Sequence, residues 1–189
     1  MFQAGNLPTE FAEKMKGVTW HEGCPVELAE LRMLTLPYWD FAGKEQTGRL
    51  IVNASVAEEV LSIFSELHAR RFPIERMRPV EEYGGNDDLS MEANNTSAFN
   101  CRDVTGQPGK FSNHSWGLAI DLNPLTNPYV KGEKVLPAAG RAYLDRTRHY
   151  QGGIEKDGFV VELFKKHGWA WGGDWKDRQD YQHFEKPAR

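Results

Sequence analysis

The sequence predicts an α+β fold: a small, mostly antiparallel sheet with flanking helices. Three observations predict it. Residues 55–71 place Val56, Val60, Ile63, Phe64 and Leu67 at intervals of three and four, the spacing of an amphipathic helix. Residues 157–167 repeat the pattern with Val160, Val161, Leu163 and Phe164. Around them lie short strand-like runs, at 49–53, at 118–122 and before Phe184, bounded by turn residues. A length of 189 residues is that of one domain, 1–189.

Taken in order, residues 1–17 mix glycine, proline and charge and read as a poorly structured N-terminal arm, with a turn of helix near 10–15. Pro25 suits the first turn of a short helix over 25–31. Residues 33–41 are apolar and aromatic, and Pro37 predicts an edge strand, since proline gives the ladder no N–H. A turn over 43–48 leads to the strand at 49–53, and the pair forms a hairpin on the outside of the sheet. Ser55 followed by Glu58 spells a capping box for the first helix. Pro73 ends that helix, and 74–77 read as the next strand. Residues 81–100 carry little apolar content, which predicts a functional loop that orders over a substrate. Residues 123–129 and 131–140 read as loops, the first made rigid by Asn123-Pro124. Arg141, Arg146 and Arg148 are expected to face solvent. Gly168 is placed to end the second helix, and residues 186–189 read as a frayed terminus.

The chemistry concentrates in residues 111–124, Phe-Ser-Asn-His-Ser-Trp-Gly-Leu-Ala-Ile-Asp-Leu-Asn-Pro. Alternation puts Ala119 and Asp121 on one face and Leu118, Ile120 and Leu122 on the other. A carboxylate on a buried strand needs a positive partner. His114, on the turn before the strand, can point at it. One imidazole and one carboxylate are two ligands of a metal, and the tail offers a third in Asp180-Tyr-Gln-His183. Residues three apart share a face in a helical turn. A strand there needs a bend, or a start after Asp180. The residue types leave two readings open. One is a two-histidine, one-carboxylate site with a free position, as in catalytic zinc centres; the other is a buried His–Asp pair without metal. Trp169, Trp171 and Trp175 stand beside Gly172 and Gly173 and read equally as the wall of a peptide groove or as core.

The run Ser112-x-His114-x-x-Gly117-x-Ala119-x-Asp121, with Asp180-x-x-His183 after it, resembles the paired motifs of the zinc D-Ala-D-Ala carboxypeptidase and L-Ala-D-Glu endopeptidase family. That family includes bacterial cell-wall peptidases and phage endolysins and shares a metal core with the hedgehog signalling domain. The resemblance covers roughly 49–184. It implies one Zn2+ per chain on His114, Asp121 and His183, with Asp180 as the general base. It implies that Arg102 steadies the developing oxyanion, a task suited to a fixed guanidinium. Ser112, Asn100, Trp171, Gly172 and Trp175 are then expected to line the substrate. The implied substrate is the peptidoglycan stem peptide, cut at L-Ala–D-Glu or at D-Ala–D-Ala. A non-catalytic zinc-containing wall-binding module is the alternative, against which Asp180 argues, because such a module needs no base. The resemblance also implies that Asn123-Pro124 braces Asp121 from outside.

A formal net charge of −4 argues against nucleic acid as the partner. No apolar run reaches the length of a membrane span, and a monomer is expected. Residues 1–10 show neither the basic flank nor the apolar centre of a secretory signal, so a cell-wall enzyme is expected either to reach the wall by another route, such as phage lysis, or to have lost its signal beforehand, and the periplasmic, extracellular and phage-lysis routes stay open. Cys24 and Cys101 can pair once, or Cys101 can remain a buried thiol. His21, His68, His149 and His167 receive no role.

Overall fold

The computed structural model describes residues 1–187; Ala188 and Arg189, in the expected frayed end, lie outside them. The N-terminal seventeen residues are not an arm. Strand β1 (Gln3–Asn6) and helix α1 (Thr9–Met15) are regular, and Met15 is fully buried. Leu7, Phe11 and Met15 recur every four residues and pack with Val26, Leu31, Ile51 and Phe99. That stripe was masked by the surrounding glycine, proline and charge.

Strand β2 (Leu31–Trp39) pairs with β1 on one side and with β3 (Glu45–Asn53) on the other. It is therefore the middle strand of three, not an edge. β1 reaches only as far as Thr35, so Pro37 stands where β2 has a neighbour on one side alone. The hairpin turn is held by Asp40, whose carboxylate accepts from the backbone N–H of Ala42 and Lys44, both at 2.9 Å. Only a 3₁₀ turn, Leu28–Glu30, forms where a short helix was expected.

Helix α2 (Ala57–Ala69) lays Val60, Ile63, Phe64 and Leu67 into the main core, each at most 1% exposed. Burial of such side chains is worth about 1.5–3 kcal/mol each. The expected capping box is absent. A 3₁₀ turn, Ala54–Val56, comes first, and Asn53 caps it by accepting from the Ser55 N–H at 3.0 Å.

Residues 81–100 are the largest departure from expectation. They hold helix α3 (Asp87–Glu92), and strands β4 (Arg76–Met77) and β5 (Asn95–Thr96) pair in parallel around it. Residues 94–100 are all buried. Their polar side chains serve interior backbone. Asn95 accepts from Arg78 N–H and donates to Arg78 C=O, and Asn94 accepts from the N–H of Leu125 and Thr126. Low apolar content here marks a buried hydrogen-bond scaffold rather than a lid.

The C-terminal half begins with the hairpin β6 (Asp103–Val104) and β7 (Gln107–Phe111). Strand β8 (Ala119–Asp121) follows, then a second hairpin, β9 (Tyr129–Lys131) and β10 (Lys134–Leu136), where a loop was expected. Helix α4 (Phe159–Lys166), strand β11 (Ala170–Trp171), strand β12 (Gln179–Asp180) and strand β13 (His183–Glu185) complete the chain. β13 lies between β8 and β11, all antiparallel, and β12 pairs with β9. α4 packs on this layer, with Phe164 stacked on Phe184 at 3.9 Å.

The fold is thus α+β, mostly antiparallel, with helices flanking. The β2–β3 hairpin belongs to its own sheet. Asn53 N–H to Gly117 C=O at 2.9 Å and Phe99 N–H to Ile51 C=O at 3.0 Å stitch that sheet to the layer carrying the site. Arg146 does not face solvent: it donates to the backbone of Thr126 and Ile154 and to the side chain of Asn127. Among the described residues no helix is long and apolar enough to cross a membrane.

Candidate metal centre

His114 sits on a one-turn 3₁₀ helix, Asn113–Trp116. Ser112 caps that turn, its hydroxyl accepting from the His114 N–H at 3.3 Å. Gly117 ends it at φ +68, and a Cβ there would lie 2.6 Å from the Asn53 nitrogen. Only glycine meets both demands. The chain then enters β8, where Asp121 stands directly opposite His183 of β13. Facing residues of an antiparallel pair project to the same side. Two strands and one turn therefore deliver three donors to one point.

The three donors are almost wholly buried. His114 Nε2 lies 3.0 Å from Asp121 Oδ2, His183 Nδ1 lies 3.0 Å from Asp121 Oδ1, and the two nitrogens are 3.2 Å apart. A tetrahedral zinc with bonds near 2.0–2.1 Å separates its ligand atoms by about 3.3 Å. The opposite face of each ring is already engaged. His114 Nδ1–H donates to the Ala98 carbonyl at 2.5 Å, and His183 Nε2–H donates to Glu185 Oε2 at 2.8 Å. Those bonds fix the tautomers that leave His114 Nε2 and His183 Nδ1 as lone-pair donors toward a cation. The donor set fits zinc.

The electrostatics agree with a site built for a cation. Burial pushes the Asp121 carboxyl up, but His114 and His183 outweigh that and hold it well below the usual carboxylate range. Burial pulls His183 down, yet its hydrogen bonds to Asp121 and Glu185 raise it to about 10. Burial raises Glu185 and its bonds from His183 and Asn113 lower it, with a net lowering. Asp180 is pushed up to about 7, chiefly by burial, with His183 and Arg102 opposing and Asp121 assisting.

The donors open on a cleft of about 180 Å³. Arg102, Ser112, Trp175 and Asp180 line it together with His114 and His183. The chain bends between β12 and β13, which lets Asp180 and His183 reach the same cleft. Asp180 Oδ1 is buried there without a hydrogen-bond partner. Gly172 permits this bend, since a Cβ would stand 2.6 Å from the Asp180 carbonyl oxygen. Arg102 holds Asp87 Oδ2 at 3.2 Å, and its Nε is buried and unpaired.

Three expected substrate contacts fall elsewhere. Trp171 is core, 2% exposed, its indole N–H donating to the Tyr181 carbonyl. Gly172 backs the Asp180 bend rather than the cleft. Asn100 is buried beneath the site, where its N–H donates to the His114 carbonyl at 3.3 Å. Of the tryptophans only Trp175 lines the cleft, with the Arg178 guanidinium over its ring at 4.3 Å. The hydrogen bonds that tie Glu185 to His183 and Asn113 were not anticipated. The period of two along β13 places Glu185 on the face of His183, and that spacing was the available signal.

His21, Cys24 and Cys101 bring a second group of donors within 4.8 Å of one another, with Cys24 and Cys101 joined as a disulfide.

Two histidines and a carboxylate at one buried point, beside a cleft, have the composition of a catalytic metal centre. Residues 105–186 match the family model described as D-alanyl-D-alanine carboxypeptidase. The matched segment contains all three donors and Asp180, while Arg102 lies just before it. No solved structure matches the chain. The family match and the buried triad support a zinc-dependent peptidase active site acting on a peptidoglycan-related substrate.

Proposed function

We propose that the protein hydrolyses one peptide bond of the peptidoglycan stem peptide, either L-Ala–D-Glu or D-Ala–D-Ala, with one zinc per chain held by His114, Asp121 and His183. The observation that carries this is the unpartnered, buried oxygen of Asp180 on the wall of the cleft where the three donors meet. Zinc in such a site acidifies a water and polarises a carbonyl. Asp180 accepts the proton of the attacking water and returns it to the leaving amine, a task suited to a carboxylate whose proton affinity is raised by burial. Arg102 faces the carbonyl oxygen as charge develops, with Asp87 holding its guanidinium until substrate arrives. Both bonds have a carboxylate on the residue that supplies the leaving amine. Lys110 and Arg178 on the cleft wall supply positive charge for it. The Cys24–Cys101 disulfide fits a protein that works in an oxidising space outside the cytoplasm.

The test is mass analysis of fragments from a synthetic stem pentapeptide incubated with zinc-loaded protein. Release of D-Ala assigns the carboxypeptidase bond, and release of L-Ala assigns the endopeptidase bond. An intact peptide at full zinc loading would contradict the proposal.

A further inference from the structure

We propose that the Cys24–Cys101 disulfide is a redox-sensitive clamp that positions Arg102. The inference rests on the reading of Arg102 as the group that faces the substrate carbonyl. Cys101 immediately precedes Arg102, and its bridge spans 77 residues to the segment after α1. That segment lies outside the matched family region, so the clamp is supplied by a part of the chain the family match does not cover.

Three contacts converge on this point. Cys101 N–H donates to the Thr19 carbonyl at 2.9 Å. Arg102 N–H donates to Ser115 Oγ at 2.9 Å, and Ser115 Oγ–H donates back to the Arg102 carbonyl at 2.8 Å. Ser115 is on the same one-turn helix as His114. Arg102 is therefore held from two sides, by the metal turn through Ser115 and by the N-terminal module through the disulfide. By contrast its guanidinium has only Asp87 and a long 3.4 Å bond to the Asp103 carbonyl. The backbone anchors fix the point from which the side chain reaches the cleft.

His21 gives the bridge a chemical handle. Its Nδ1–H donates to the Glu22 carbonyl at 2.9 Å, which leaves Nε2 as a lone pair 3.7 Å from Cys101 Sγ. A disulfide sulfur has no proton to offer that nitrogen. Once the bond is reduced, the Cys101 thiol can donate to it. His21 is exposed and Cys24 is partly exposed, so a reductant reaches the bond from solvent.

A water-soluble phosphine provides the test. Phosphorus supplies two electrons to the sulfur–sulfur bond and takes the oxygen of one water as phosphine oxide. The two protons of that water end on Cys24 and Cys101. Zinc content, kcat and KM are then measured on the stem peptide for oxidised and reduced protein, in wild type and in Arg102→Ala. Reduction is expected to lower kcat by roughly 10- to 100-fold, the scale of misplacing one positioned group. KM and the zinc equivalent should be unchanged. In Arg102→Ala reduction should cost little further, since both changes remove the same interaction. Unchanged kcat after complete reduction would overturn the clamp, and so would capture of a second zinc by His21, Cys24 and Cys101 with kcat intact. An equal loss in Arg102→Ala would overturn it as well. Hydrogen exchange at the Cys101 and Arg102 amides separates this outcome from failure of the peptidase reading. Faster exchange at both on reduction supports the clamp even if no peptide is cut, and unchanged exchange contradicts it.

Discussion

Asp180 is buried without a partner at one oxygen and stands three residues before His183. Replacing it with asparagine keeps the volume and removes the base. Zinc and fold should survive Asp180→Asn, while kcat should fall by on the order of 100-fold, as for loss of a positioned acid–base group. Near-normal turnover at full zinc would exclude Asp180. Glu185 acts one step further out, accepting from His183 Nε2. Glu185→Gln should weaken zinc binding about 10- to 100-fold, the usual effect of losing a ligand's outer partner; competition with a fluorescent chelator measures it. His183 gives a pH signature. In the metal-free chain its pKa is raised to about 10 from an ordinary 6.5, so its stabilising contribution is complete below 6.5 and is lost as pH rises through about 10. The Tm of metal-free protein should therefore fall from pH 7 to 10. The zinc-loaded protein, whose His183 must be neutral to bind, should show no such slope. Equal slopes would contradict the assignment of His183 as a donor.

The elements show what a sequence reveals and what it conceals. The two amphipathic helices and the 118–122 strand were legible because apolar periodicity reports a buried face. The meeting of His114, Asp121 and His183 was legible because a histidine just before an apolar strand, a carboxylate on that strand and a second histidine in the tail are unusual residue types for a core. Residues 94–100 were misread for the converse reason: interior polar side chains look like surface until their backbone partners are known. Trp171 was ambiguous because bulk fits core and groove alike, and only the fold places its ring against Phe184. Asn123 illustrates the polar scaffold most directly. It adopts φ 45, a left-handed geometry that asparagine tolerates. Its amide donates to Pro73 and Gly152 carbonyls at 2.9 and 3.1 Å, and its oxygen accepts from Glu75 N–H at 3.1 Å. Asn123→Ala leaves these groups unpaired and should destabilise the protein by about 2–4 kcal/mol in urea denaturation. A loss under about 0.5 kcal/mol would mean that the brace next to Asp121 carries no stability.

At the scale of the whole molecule, two small antiparallel layers meet behind one metal turn. The hairpin layer, with the N-terminal strand and helix, supports Gly117 and Phe99. The second layer carries Asp121 and His183. The centre therefore exists only when both layers are folded, so metal binding and folding should be linked. The most direct measurement of the central claim is a zinc titration of metal-free protein, with hydrolysis of the stem peptide followed at each addition. The expected result is no activity without metal, a linear rise, and a break at one equivalent per chain, with the break absent in Asp121→Ala. Full activity in metal-free protein, or a wild-type break that persists in Asp121→Ala, would contradict a catalytic zinc at His114, Asp121 and His183.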